Sequence, residues 1–253
     1  MSDVLLKTVD LRRTFGGLTA NDRVCIELRR GQVHALLGPN GAGKSTLINL
    51  LSGDIAAPSG QVLYRGKDIT RLTPHQRSLA GIGRSYQKTN IFPGFTVAEN
   101  CRLAAQSREP RAFSIFSDAQ VWGPYRECVT LALDQAGLAD VAARRASELS
   151  HGQQRQLELA IVLATRPDVL LLDEPLAGMG HEESLRMIGL LRSLVATHAI
   201  LLVEHDMDAV FSIADAVTVM VNGVVLMTGT PEQVRASPEV QQAYLGSEDA
   251  SHV

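Results

Sequence analysis

Three short, nearly unbroken apolar runs stand out along the chain, at residues 33–37, 169–172 and 200–203. Each has the length of a strand, and each ends abruptly at a glycine or an acidic residue. That is the pattern of strands buried on both faces. From residue 169 onwards such runs alternate with helically spaced stretches, which predicts parallel β-α units. The N-terminal part reads differently. Residues 5–11 and 24–28 alternate as strands, Arg29-Arg30-Gly31 supplies a turn into a strand at 32–37, and a further strand at 61–64 ends on Arg65-Gly66. Leu157, Ile161 and Ala164 recur at helical intervals behind Ser150. Residues 100–148 are Ala-rich and helical in pattern, but 107–124 carries Pro110, Gly123 and Pro124 without periodicity and is expected to be an irregular loop. Thr230-Pro231-Glu232 and Ser237-Pro238-Glu239 each start a helix, and 246–253 is polar enough to fray. There is no internal repeat and no low-complexity tract.

Composition narrows this picture little. A chain of 253 residues, 45% hydrophobic and 20% charged, has the make-up of an ordinary globular protein. No apolar stretch approaches the ~20 residues needed to span a bilayer. Residues 1–9 lack a charged start followed by a hydrophobic signal region. The net charge of −3 gives no support to nucleic-acid binding. Cys25, Cys101 and Cys128 lie far apart, an odd count without metal-ligand spacing, and are expected to be reduced thiols.

The chemistry lies at the ends of the apolar runs. After 33–37 comes Gly38-Pro39-Asn40-Gly41-Ala42-Gly43-Lys44-Ser45-Thr46, a phosphate-binding loop between a strand and a helix beginning near Lys44. Its glycines let successive N–H groups point at one spot, where the helix N-terminus adds positive potential. Lys44 has the reach for β- and γ-phosphates, and Ser45 can ligate Mg²⁺. Such a pattern arises by chance in roughly one chain of this length in a hundred. The run 169–172 ends in Asp173-Glu174-Pro175, which suits a carboxylate holding Mg²⁺ through water and a neighbouring general base. Leu149-Ser150-His151-Gly152-Gln153 opens a helix with capping-box spacing, and Gly152 in its first turn leaves room for another molecule's phosphate. The run 200–203 leads into Glu204-His205-Asp206.

Phosphate loop, Gln87, Leu-Ser-His-Gly-Gln, Asp173-Glu174 and His205, in this order, resemble the ATP-binding subunits of ABC transporters, over residues 4 to 246. The resemblance implies an α/β fold: a RecA-like P-loop NTPase parallel core, an N-terminal antiparallel β subdomain, and an α-helical subdomain inserted at about 88–165. Residues 1–246 would form one ATPase domain and 247–253 a frayed tail. It implies a Mg-dependent ATPase with ATP and Mg²⁺ bound. Gln87 would reach metal and water, His205 would contact the γ-phosphate as a switch, and Phe15 would stack on adenine, although an aromatic in an N-terminal strand equally serves a core. Ser150, Gly152 and Gln153 would complete the site of a second ATPase subunit. His151 and Gly180 depart from the family pattern, which commonly has glycine at the first and Asp or Asn at the second.

Within the family, Arg84-Ser85-Tyr86-Gln87, Ile91-Phe92-Pro93, Glu99-Asn100, the long irregular stretch and the ending Ala243-Tyr244-Leu245-Gly246 resemble importers of branched-chain amino acids and related urea and amide solutes. The partners implied are two transmembrane permease subunits, a second ATPase chain (identical or different) and, indirectly, a periplasmic or surface solute-binding protein. The implied location is the cytoplasmic face of the inner membrane. Two alternatives stand beside this: a lipopolysaccharide-export ATPase and a soluble, non-transport ABC ATPase. The absence of a second cassette, long coiled-coil insertions or basic tails weighs against the latter. A module that senses nucleotide without turnover is disfavoured by the joint presence of Glu174 and His205.

Overall fold

The computed structural model describes residues 4–86, 90–108 and 123–248. Strands β1 (Val4–Phe15), β2 (Leu18–Val24) and β3 (Glu27–Arg29) open the chain, and β4 (Gln32–Leu37) leads into helix α1 (Lys44–Ser52). Then come β5 (Ser59–Tyr64), β6 (Lys67–Asp68), α2 (Pro74–Ala80) and β7 (Ile82–Arg84). Helices α3 (Val97–Gln106), α4 (Gly123–Gln135) and α5 (His151–Ala164) separate β7 from β8 (Val169–Asp173). The remainder alternates: α6 (His181–Leu194), β9 (Ala199–Val203), α7 (Met207–Ile213), β10 (Ala216–Val221), β11 (Val224–Gly229), α8 (Pro231–Arg235) and α9 (Pro238–Glu248).

Two sheets result. The larger has the order β11-β10-β4-β9-β8-β7, parallel throughout except for the antiparallel β10-β11 edge. The smaller is antiparallel, with the order β2-β1-β5-β6 and β3 paired to β1. Strand periodicity explains how the layers share the core. On β8, Leu170 and Leu172 face the helical side, packing with Val97, Val129, Leu157 and Met187. Val169 and Leu171 face the other way, with α1 residues Leu47 and Leu51 and with Leu6 and Val62 of the small sheet. A third cluster joins Ala35 and Leu37 to Val210, Val219 and Val234.

The structure departs from the sequence reading at three places. Residues 24–28 are not one strand: β2 ends at Val24 and β3 begins at Glu27. The buried Thr8 hydroxyl donates to the Val24 carbonyl (2.9 Å) and accepts from the Ile26 N–H (2.9 Å), bridging the step while the Thr8 N–H keeps its bond to the Ile26 carbonyl (2.9 Å). The expected strand 5–11 extends to Phe15. The last helix continues to Glu248, past the start of the expected frayed tail; Ser237 anchors its first turn by accepting from the Val240 N–H (3.3 Å). Residues 109–122, most of the expected irregular loop, lie outside the described residues, as does Gln87.

Candidate active site

The C-terminal ends of β4, β8 and β9 converge on the turn before α1, the edge where open α/β sheets bind ligands. The turn between β4 and α1 depends on glycine at two points. A methyl group at Gly38 would lie 2.2 Å from the Met220 carbonyl oxygen, and at Gly43, where φ is +99°, one would lie 2.2 Å from the Ala20 carbonyl oxygen. Gly43 is also the residue that caps α1, and Asn21 donates to its carbonyl (3.2 Å). The Lys44 ammonium folds back over the loop, donating to the carbonyls of Gly38 (2.5 Å) and Pro39 (3.0 Å). Burial pulls Lys44 below the ordinary lysine range, while Glu174 and Asp173 oppose that shift.

A cavity of about 630 Å³ opens over this turn, lined by Asn40, Gly41, Ala42, Gly43, Lys44, Ser45, Thr46, Phe15 and Glu174. Nine of the residues singled out in the sequence therefore meet in one place. Phe15 is 44% exposed, and the Arg13 guanidinium covers one ring face at 4.6 Å. Leu18, Thr19, Ala20 and Asn222 line the same cavity without having been anticipated. They arrive from the β1-β2 hairpin and the β10-β11 turn, so no local sequence signal marks them, and Leu18 is left 70% exposed.

Asp173 closes β8 and is buried, with its Oδ1 atom lacking any hydrogen-bond partner among the described residues. Burial raises its carboxyl above the ordinary aspartate range, and Arg84 pulls in the opposite direction. Glu174 takes a left-handed conformation, φ +51°, with its N–H bound to the Val203 carbonyl (2.9 Å). That conformation turns the chain sharply between β8 and the loop 175–180. Glu204 holds this loop in place: its buried Oε1 accepts from the Leu176 N–H at 2.8 Å. Burial moves the Glu204 carboxyl upward, against the Leu176 hydrogen bond. The role of Glu204 was missed because nothing local distinguishes it from its neighbours. His205 is largely exposed, its Nδ1 lying 3.9 Å from Glu204 Oε2, and is not brought to the cavity wall.

Ser150, Gly152 and Gln153 form a second site. Ser150 Oγ accepts from the Gln153 N–H (3.3 Å) and Gln153 Oε1 accepts from the Ser150 N–H (3.1 Å), the capping box read from spacing. These residues line a separate cavity of about 270 Å³ with Gln156, Met179, Glu183 and Arg186. Gly152 has a reason within its own chain, since a methyl group there would lie 2.5 Å from Glu183 Oε1. The His151 ring packs onto Gly178, where a Cβ would lie 3.1 Å from its Cε1.

A family model described as ABC transporter matches residues 22–177, and one described as branched-chain amino acid ATP-binding cassette transporter matches 224–250. The high-affinity branched-chain amino acid transport ATP-binding protein LivG of Escherichia coli K12 is 39% identical, covering 97% of this chain and 99% of its own. The corresponding protein BraF of Pseudomonas aeruginosa is 37% identical over the same shares. Among solved structures, an ATP-binding cassette of an ABC transporter in its ADP conformation superposes with a TM-score of 0.86 at 30% identity, covering 96% of this chain and 99% of that one. A nucleotide-free cassette gives 0.85 at 30% identity, with 95% and 98% covered.

Proposed function

The chain belongs to the ABC transporter ATP-binding family, and we propose that it binds and hydrolyses ATP to power import of branched-chain amino acids or related small polar solutes. The observation that carries this reading is the meeting of Lys44, Ser45, Thr46 and Glu174 on one cavity at the start of α1. The first N–H groups of α1 have no intrahelical acceptors and, with the helix dipole, favour phosphate. Lys44 would exchange its loop carbonyls for β- and γ-phosphate oxygens. Phe15 offers a ring face to the adenine.

The residues also fit Mg²⁺: Ser45 lines the cavity with its hydroxyl available as a ligand, and Asp173 Oδ1 is a carboxylate oxygen without a hydrogen-bond partner among the described residues. Ser45 and Asp173, with Gln87, would hold the ion, which when bound would neutralise charge on the transferring phosphoryl oxygens. Glu174 would accept the proton of the attacking water as general base. His205, exposed at the end of β9, would hydrogen-bond the γ-phosphate. The separate position of Ser150, Gly152 and Gln153 favours their serving the cavity of a second ATPase subunit.

The names of LivG and BraF favour amino-acid import over lipopolysaccharide export or a non-transport role. Two transmembrane permeases would anchor the protein peripherally at the cytoplasmic face of the inner membrane, with a solute-binding protein acting on them from the other side. Phe92 and Phe95, exposed and stacked at 5.4 Å between centroids, offer such a permease an aromatic surface. Residues 1–246 would act as one domain. The test is affinity purification of a tagged Glu174→Gln variant from its own membranes with ATP, followed by mass spectrometry. Recovery of two permeases and an ATPase partner is expected; recovery with soluble proteins alone would overturn the transport reading.

A further inference from the structure

Helix α5 carries a charged pair where an apolar one would serve. Arg155, Glu158 and Leu159 share one helical face, opposed by Ser85 and Tyr86 beyond β7, by Leu172, Asp173 and Pro175 at the end of β8, and by Met187 and Leu191 of α6. Arg155 Nη1 donates to Glu158 Oε2 at 2.9 Å, and the two side chains are only 14% and 12% exposed. A pair this deeply placed is poor value for stability: matching apolar side chains are as stable or more so, whereas removing one partner alone leaves a buried charge.

The pair is also incompletely bonded. Arg155 Nε and Glu158 Oε1 are buried without partners among the described residues. So is Asp173 Oδ1, across the same seam. Three buried atoms from two elements, without partners among the described residues, mark an interface whose polar groups a small shift of α5 would re-pair. One wall of that interface is the Asp173 end of β8, where charge changes when the nucleotide cavity fills.

We propose that the Arg155–Glu158 pair is a positioning device that carries occupancy of the nucleotide site, through Asp173 and the Ser85–Tyr86 segment, into α5 and hence to Ser150 and Gly152 at its start. This rests on the reading that the cavity over α1 binds MgATP. Filling the cavity draws on Asp173, the seam re-pairs, and α5 shifts on the core. Neither side chain touches nucleotide.

The test is hydrogen exchange of the full chain with and without MgATP, read separately at α1 and α5. The variants are Arg155→Met with Glu158→Leu, Arg155→Met alone, and Glu158→Gln. In the unaltered protein MgATP should slow exchange at the start of α1 and change it in α5. The double variant should melt at or above the unaltered protein's temperature, keep the α1 protection and lose the α5 response. Arg155→Met alone should melt lower, since it strands Glu158. Glu158→Gln keeps the shape and should fold, with a weakened α5 response, so the proposal stays testable if the double variant does not fold. An α5 response that survives in the double variant or is undiminished in Glu158→Gln would overturn it, as would α1 protection in the unaltered protein with α5 unmoved. Absence of protection at α1 would overturn the nucleotide reading itself, and this proposal with it.

Discussion

Asp173 and Glu174 are neighbours with opposite surroundings: one carboxylate is buried with an oxygen that has no hydrogen-bond partner among the described residues, the other lines an open cavity from a left-handed backbone. A glutamine at 174 keeps the shape and accepts the same φ but cannot take a proton. Glu174→Gln is therefore expected to lower phosphate release by about 10²–10⁴-fold while equilibrium ATP binding is kept. His34 offers a second test. It is buried on β4, its Nε2 lying 2.8 Å from Thr218 Oγ1, and burial pushes its pKa down to about 4. The unfolded chain takes up this proton near 6.5, so stability contributed by neutral His34 is present above that value and is lost as pH falls towards 4. Between pH 7 and 5 this amounts to about 2 kcal/mol. Urea unfolding at both pH values should show that loss, and His34→Gln should reduce the difference by a similar amount. At this scale the legible residues were those whose chemistry is local: Lys44 and Ser45 are defined by spacing on one loop. Leu18 and Asn222 enter the cavity from elsewhere in the chain, and Glu204 matters only because β9 ends beside Leu176.

Helix α1 begins at the phosphate loop, so its other end bears on the site. Arg77, 1% exposed, caps that end: Nη1 donates to the Leu50 and Leu51 carbonyls (2.6 and 2.7 Å), Nη2 to Thr70 (2.8 Å) and Nε to Leu72 (3.1 Å). These bonds satisfy carbonyls that a helix C-terminus leaves open, with a cation on the favourable end of the dipole. Arg77→Ala should cost about 3–5 kcal/mol in chemical denaturation, from the cavity together with the stranded carbonyls. Lysine should recover little, lacking the guanidinium fork. Nothing in the sequence marked this arginine, since the carbonyls it serves come from α1 and the turn before α2. The elements that were legible are those fixed by nearest neighbours in sequence: the buried strands after residue 169 and the Pro-started helices at 231 and 238. The break between β2 and β3 was not, because it depends on a threonine hydroxyl from β1.

Across the whole molecule, the apolar clusters on the two faces of the large sheet join its strands to helices on one side and to the small sheet on the other. The cavity over α1 and the cavity at the start of α5 are separate and share no lining residue. For the second to serve the first within one chain, α5 would have to leave the apolar contacts with β8 that hold it. In the proposed pair of subunits about a twofold axis no such movement would be needed, because each would present its α5 to the other's α1. Two inactive variants then distinguish the arrangements. Lys44→Ala removes phosphate binding but leaves Ser150 intact, and Ser150→Arg blocks the start of α5 but leaves Lys44 intact. Either alone should show almost no hydrolysis. Mixed in equal amounts and allowed to exchange, they should recover about a quarter of the unaltered activity, since half the pairs hold one complete site of two. Phosphate release across a series of mixing ratios measures this, with a maximum at equal amounts. A flat, inactive series would assign Ser150 to its own chain's cavity or place a different ATPase chain opposite this one. Repeating the series with the co-purified ATPase partner separates those outcomes.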